Sequence, residues 1–220
     1  MARTRGKETL GASPRGAKRK KVVYVFTEGK ETEPSFLDII WERHCESGVA
    51  RNVDLRISNR KAAGSHRKPL TLVEDATRTM REKTREAKKA KTPLPDVWVL
   101  FDRDQHEHIQ KAMSEAEAAG VRVAFSHPCF EVWRLLHHKD VSGTFGGVCG
   151  IATQRLPFAQ TSLNIKLVQP GEIPKDSYTK ARDRALKMNA QHHDHVPREL
   201  RDPYTDVHEF IETGLGITTY

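Results

Sequence analysis

The sequence predicts an α/β protein: a mostly parallel central sheet of about four strands flanked by helices, with a C-terminal helical appendage. Three observations predict it. Four apolar, β-prone runs, Val22–Thr27, Val53–Ile57, Val97–Phe101 and Val121–Phe125, have the length of strands and are too short for buried helices. Segments with helical periodicity separate them, and strand–helix alternation is the order of a parallel sheet with right-handed crossovers. The first and third runs break off into acids, Glu28 in one and Asp102 with Asp104 in the other. In an open α/β sheet, that carboxyl edge is where ligands bind.

Residues 1–20 form a basic tail without apolar periodicity, expected to be disordered until an anion binds it. The first strand follows and ends in Glu28, with Gly29 for a tight exit. Thr32, Glu33 and Pro34 suit a first helical turn, and Phe36, Leu37, Ile39, Ile40 and His44 continue at helical spacing to Gly48. Val53–Ile57 alternates as a strand nearer the edge does. Asn59–Pro69 reads as a basic loop, and Leu70–Lys91 as a long helix whose apolar residues, Leu72, Val73, Ala76 and Met80, thin into charge. After the third strand, Glu107–Ala119 is a helix stopped by Gly120. Pro128 breaks the fourth strand, and Phe130, Trp133 and Leu136 then repeat at helical spacing. Glu131 therefore stands in the first turn of a helix that begins at the same sheet edge. Gly143–Gly150 is a glycine-rich loop expected to be flexible, without the strand and lysine-bearing helix of a phosphate loop. Helices over Tyr178–His192 and Thr205–Thr213 complete the expectation of a core at 21–140 and a loop plus helical appendage at 141–220.

At 220 residues and 37% hydrophobic content the chain can bury a core. No apolar run approaches the roughly 18–20 residues of a membrane span, and the N-terminus lacks the apolar stretch of a signal peptide, so a cytoplasmic protein without a membrane partner is expected. The net charge of +8 is unevenly spread. Residues 1–21 and residues 59–91 each carry +7, and the remainder is net −6. Such an acidic body with two basic segments suits a polyanion held by one region and processed by another, although basic tails also serve solubility. Cys45, Cys129 and Cys149 are odd in number and widely spaced, and are expected to be buried thiols rather than a disulfide frame or zinc knuckle.

Glu28, Asp102, Asp104 and Glu131 are thus aimed at one rim from three successive sheet ends. Taken singly, Asp102 reads as a helix N-cap, and Asp104 and Glu131 as first-turn partners of a helix dipole. Taken together, the oxygen donors favour Mg2+ or Mn2+, which would let a site activate water and orient a phosphodiester. His192, His193 and His195, or His106 and His108, offer a weaker case for a borderline metal. Ser126 beside His127 lacks the strand-turn-helix elbow of a nucleophilic serine.

Three stretches carry a family resemblance: Val25-Phe26-Thr27-Glu28-Gly29-Lys30-Glu31-Thr32-Glu33-Pro34-Ser35-Phe36, Val97-Trp98-Val99-Leu100-Phe101-Asp102-Arg103-Asp104, and Ser126-His127-Pro128-Cys129-Phe130-Glu131-Val132-Trp133. They resemble the RloB family, whose members look like part of the Toprim-like group. The resemblance extends to Ile173-Pro174-Lys175 and to Asp202-Pro203-Tyr204-Thr205-Asp206-Val207-His208, spanning about residues 21–213. It implies a Toprim-like fold in which Glu28 acts as general acid or base, Asp102 and Asp104 hold Mg2+, and Glu131 is a family motif residue. It also implies restriction or phage-defence loci with an ATPase encoded nearby. Lys175 is a candidate to reach a phosphate as a point charge. His127 stands where an asparagine is more usual.

The reading is a Mg2+- or Mn2+-dependent Toprim-type nuclease acting on nucleic acid with an ATPase partner, in a chain that could form homo-oligomers. Its rivals are a catalytically silent nucleic-acid-binding subunit and a metal-dependent phosphotransfer enzyme.

Overall fold

Every one of the four β-prone runs enters a single sheet. The computed structural model describes residues 20–48, 52–103 and 106–220, so the basic tail and Asp104 lie outside the described residues. In chain order the elements are β1 (Lys21–Thr27), α1 (Thr32–Glu46), β2 (Val53–Ile57), α2 (Pro69–Ala90), β3 (Asp96–Asp102), α3 (Ile109–Ala118) and β4 (Arg122–His127). They continue with α4 (Glu131–Leu136), α5 (Cys149–Gln154), α6 (Tyr178–Asn189), β5 (Tyr204–Thr205) and α7 (Val207–Glu209), which runs into a π-helical turn at Phe210–Gly214. The sheet order is β2-β1-β3-β4-β5. The first four strands are parallel and β5 is antiparallel to β4.

Alternation along the strands sorts their side chains onto two faces. Val23, Val25, Trp98 and Leu100 join Phe36, Leu37 and Ile40 of α1 in one buried layer. Their neighbours Phe26, Val97, Val99 and Phe101 join Leu72, Val73 and Ala76 of α2 and Ile109 of α3 in the other. Helices on opposite faces are what right-handed crossovers require when the chain leaves β1 toward β2 and leaves β3 toward β4. The strand order therefore reverses between β1 and β3, and the crevice beyond their carboxyl ends is the topological switch point.

The C-terminal stretch contributes more than an outer layer. Tyr178, Phe210, Ile217 and Tyr220 share one buried cluster with Trp133 of α4 and with β1, β3 and α1, and β5 extends the sheet. The sequence reading carried no strand at Tyr204, because two residues after a proline show no alternation. Asp206 fixes this edge: its N–H donates to the Phe125 carbonyl at 3.1 Å, its Oδ1 accepts the Phe125 N–H at 2.6 Å, and its Oδ2 accepts Arg198 at 2.7 Å. The glycine-rich segment expected to be flexible is tied down, since Asp202 accepts the N–H groups of Phe145 at 3.2 Å and Gly147 at 2.8 Å. Among the described residues no helix is long and apolar enough to cross a membrane.

The candidate functional site at the sheet switch point

The exit of β1 is shaped by backbone needs. Thr27 pairs with the Asn59 side chain in both directions, its N–H donating to Oδ1 at 3.0 Å and its carbonyl accepting from Nδ2 at 2.7 Å. Buried Arg67 donates to the carbonyls of Thr27, Gly29 and Asn59 at 3.0, 2.8 and 2.7 Å. The basic loop thus spends Arg67 on structure, and Arg60 is paired with Asp38. Held in this way, the chain turns at Gly29, whose N–H donates to Glu33 Oε1 at 2.9 Å. A Cβ at Gly29 would stand 1.8 Å from Glu33 Oε2, so the close approach of that carboxylate is what requires glycine.

Four buried or half-buried acids line the resulting crevice of about 430 Å3: Glu28 after β1, Glu33 in the first turn of α1, Asp102 ending β3, and Glu131 opening α4; exposed Lys30 and Glu31 complete its charged rim. Glu28 Oε2 accepts the Asp102 N–H at 2.8 Å, and Oε1 meets His106 Nε2 in a short contact. Asp102 shares the parity of Trp98 and Leu100, so it faces the side of the sheet that carries α1 and α4. The capping alternative for Asp102 fails, because α3 starts at Ile109 with His108 at its cap position and no side-chain cap bond. Glu131 is 1% exposed, and its Oε1 accepts Lys166 Nζ at 2.9 Å.

Burial pushes the Asp102 carboxyl well above its ordinary value of 3.8, and the charges of Glu28, Glu33 and Glu131 push it further, while the Phe130 amide opposes them. Glu33 is raised to about 7, first by burial and then by Glu28 and Glu131, against the Gly29 amide. Unit charges ~5 Å apart repel by roughly 3 kcal/mol at an effective dielectric of about 20, more than a helix cap contributes. Lys166 feels the same field: burial lowers its pKa, but Glu131, Asp102 and Glu33 outweigh it and the net shift is upward.

Of the residues expected at the site, Glu28, Asp102 and Glu131 come together and Asp104 lies outside the described residues. Lys175 is exposed and lines no part of the crevice; the lysines that do are exposed Lys30 and Lys166, and Lys166 is the one paired with Glu131. Its loop is tied to α4 by fully buried Arg134, which donates to the Ile165 carbonyl at 2.7 Å, and to α1 by the Val168 N–H on Ser35 Oγ at 3.0 Å. No periodicity marks a lysine in such a loop, so sequence reasoning had no signal for it. Glu33 was visible only as a first-turn acid.

The cysteine expectation is corrected. Cys129 and Cys149 are joined, with Cα atoms 5.5 Å apart, and both line the crevice, whereas Cys45 is exposed. The turn at Pro128 and the glycine-rich loop fold these residues together across 20 positions, a closeness that spacing does not reveal. His127 is buried and its pKa is lowered, chiefly by that burial. His192 bonds to the Pro203 carbonyl, and the His193 and His195 rings stack on each other away from the acids. Among the described residues the only three metal-ligating side chains whose donor atoms all lie within 4.8 Å are Cys129, Glu131 and Cys149. The four carboxylates share the crevice without any three of them meeting that distance.

The fold and site define an α/β protein with a carboxylate-lined crevice at the switch point of a mostly parallel sheet. The family model described as RloB-like protein matches residues 23–213, and the chain belongs to that family. No curated protein and no solved structure matches it at a significant level.

Proposed function

We propose that the protein is a Mg2+- or Mn2+-dependent, Toprim-type nuclease acting on nucleic-acid phosphodiesters, in antiphage defence with an ATPase encoded nearby. The observation that carries this is the convergence of Glu28, Glu33, Asp102 and Glu131 on one crevice, with Asp102 and Glu33 pushed up by burial and by the charges of Glu28 and Glu131. An all-oxygen donor set with excess buried negative charge fits a hard divalent cation. Asp102, with Asp104 two residues on, would hold the ion, which supplies an activated water and charge neutralisation at the phosphate. Glu28 stands beside as the proton-transfer group, oriented by the Asp102 amide and His106. Lys166 offers a positive charge at the mouth, the role first expected of Lys175.

Binding surface for the polyanion lies elsewhere. Lys83, Ala87 and Ala90 of α2 border Val22 and Tyr24 at the start of β1, so the Lys/Arg-rich half of α2 sits at the amino edge of the sheet. A helix of 22 residues is about 33 Å long, so that surface would contact a long substrate well away from the reacting bond. The test is incubation of the purified protein with labelled DNA and RNA in Mg2+, Mn2+ or EDTA, with and without the neighbouring ATPase. Cleavage that needs the metal and falls by at least about a hundredfold in Asp102→Asn is expected. Metal-independent cleavage, or full activity in Asp102→Asn, would contradict the reading.

A further inference from the structure

The wall of the crevice holds a second donor set of different chemistry. Cys129 follows the turn at Pro128, Glu131 opens α4 and Cys149 opens α5, and their two sulfurs and one carboxylate oxygen lie within 4.8 Å of one another. Glu131 divides its oxygens between two tasks. Oε1 meets Lys166 at 2.9 Å, while the nearest polar partner described for Oε2 is Cys149 Sγ at 3.6 Å. With the Cys129–Cys149 bond closed, that sulfur carries no proton and donates nothing, which leaves a carboxylate oxygen of a 1% exposed residue without a donor among the described residues. Opening the bond supplies either two thiols or, once they ionise, two thiolates beside that same oxygen.

We propose that, when reduced, Cys129, Cys149 and Glu131 Oε2 bind one thiophilic divalent cation of the Zn2+ class. Two sulfurs and one oxygen from three side chains match the ligand count of zinc sites that keep a fourth position open. All three residues line the crevice, so the open position faces the space shared with Asp102. Mg2+ does not compete for thiolates, and zinc prefers the sulfur pair to the all-oxygen set, so the two sites sort their ions by softness. Lys166 stays on Oε1 while Oε2 ligates. The inference is independent of the nuclease reading and shares only Glu131 with it. In the chemistry, a phosphine reductant takes oxygen from water as the S–S bond opens to two thiols, and the cation then displaces their two protons.

The experiment uses the full chain carrying Cys45→Ser, so that only Cys129 and Cys149 report, reduced with a phosphine that offers no competing thiol. Cd2+ is titrated while the thiolate–cadmium charge-transfer band is followed in the ultraviolet. One equivalent should bind, unaffected by a large excess of Mg2+. Cys149→Ser and Cys129→Ser should each weaken binding more than about tenfold, as should Glu131→Gln. Closing the disulfide with a small-molecule disulfide oxidant should abolish the band. Asp102→Asn should leave it intact, which separates this site from the carboxylate one. Far-ultraviolet circular dichroism confirms that each variant is folded. Absence of a band in the reduced protein, or a cadmium affinity unchanged by either serine substitution in folded protein, would overturn the proposal and leave a disulfide alone.

Discussion

Two groups of buried charge, one beside β4 and one at the carboxyl ends of β1 and β3, are treated in opposite ways. At the β4–β5 edge Asp206 is 1% exposed and fully answered, by the Phe125 amide, the Arg198 guanidinium and the Tyr204 hydroxyl. Behind α4, the two terminal nitrogens of buried Arg134 are answered by Glu172 at 2.9 Å and the Ile165 carbonyl, while its Nε has no partner among the described residues. In the crevice, four buried or half-buried acids and exposed Glu31 face two lysines, Lys166 and exposed Lys30, and Asp102 and Glu33 carry raised pKa values. A fold that pairs Asp206 and Arg134 with opposite charges leaves a negative excess at the switch point of the sheet. On the proposed reading, the contrast separates charge kept for architecture from charge kept for a cation.

The largest effect should come from the architectural side. Asp206→Ala strands the Phe125 amide and the Arg198 charge and should destabilise the protein by about 3–5 kcal/mol in urea unfolding. A loss below about 1 kcal/mol would erase the distinction between the two regions.

Next comes a pH effect of the opposite sign from ordinary ion-paired acids. An acid whose pKa rises on folding, as Glu33 rises from 4.5 to about 7, binds its proton more tightly in the folded state. Its contribution to the stability of metal-free protein is therefore most favourable below pH 4.5 and declines until about pH 7, by roughly 3 kcal/mol. Glu33→Gln should flatten that decline, and an unchanged pH profile would show the field in the crevice to be weaker than described.

Arg67→Ala should cost about 2 kcal/mol, since it leaves the carbonyls at the β1 exit without their shared donor, and should also weaken metal binding by loosening Gly29 and Glu33. The smallest effect belongs to the distant basic face of α2. Replacing Arg81, Arg85 and Lys88 by glutamine should lower nucleic-acid affinity and flatten its salt dependence, with a slope change of about 0.9 per lost phosphate contact on duplex DNA. Metal-induced stabilisation should not move, and if it does, the two surfaces are not separate.

Much of this contrast could be read before any coordinates. Continuous apolar runs made β1, β3 and β4 visible, because a strand buried on both faces needs no polar alternation, and the acids that end β1 and β3 marked the edge. What stayed hidden depends on contacts between distant residues. Tyr204–Thr205 is too short to have a period, and Asp202 orders the glycine-rich loop across more than 50 residues. Glu33 joins the cluster only because Gly29 lets the chain double back on it. Lys166 reaches Glu131 because Arg134 pins the preceding carbonyl, so the lysine of the Ile-Pro-Lys stretch was the visible candidate and a loop lysine nine residues earlier occupies the place. The cysteines gave no spacing signal because their proximity is made by the turn at Pro128.

The central claim is that the crevice holds excess negative charge for a divalent cation, and thermal unfolding of wild type and Asp102→Asn, each in EDTA and in saturating Mn2+, tests it most directly. Without metal, Asp102→Asn should be as stable as wild type or more so, because it removes repulsion with Glu28, Glu33 and Glu131. Manganese should stabilise wild type by about 2.7 kcal/mol at a hundredfold excess over its dissociation constant, and the variant by much less. A variant less stable than wild type in EDTA, together with an equal manganese shift in both proteins, would show Asp102 to be a structural residue and the crevice to be no metal site.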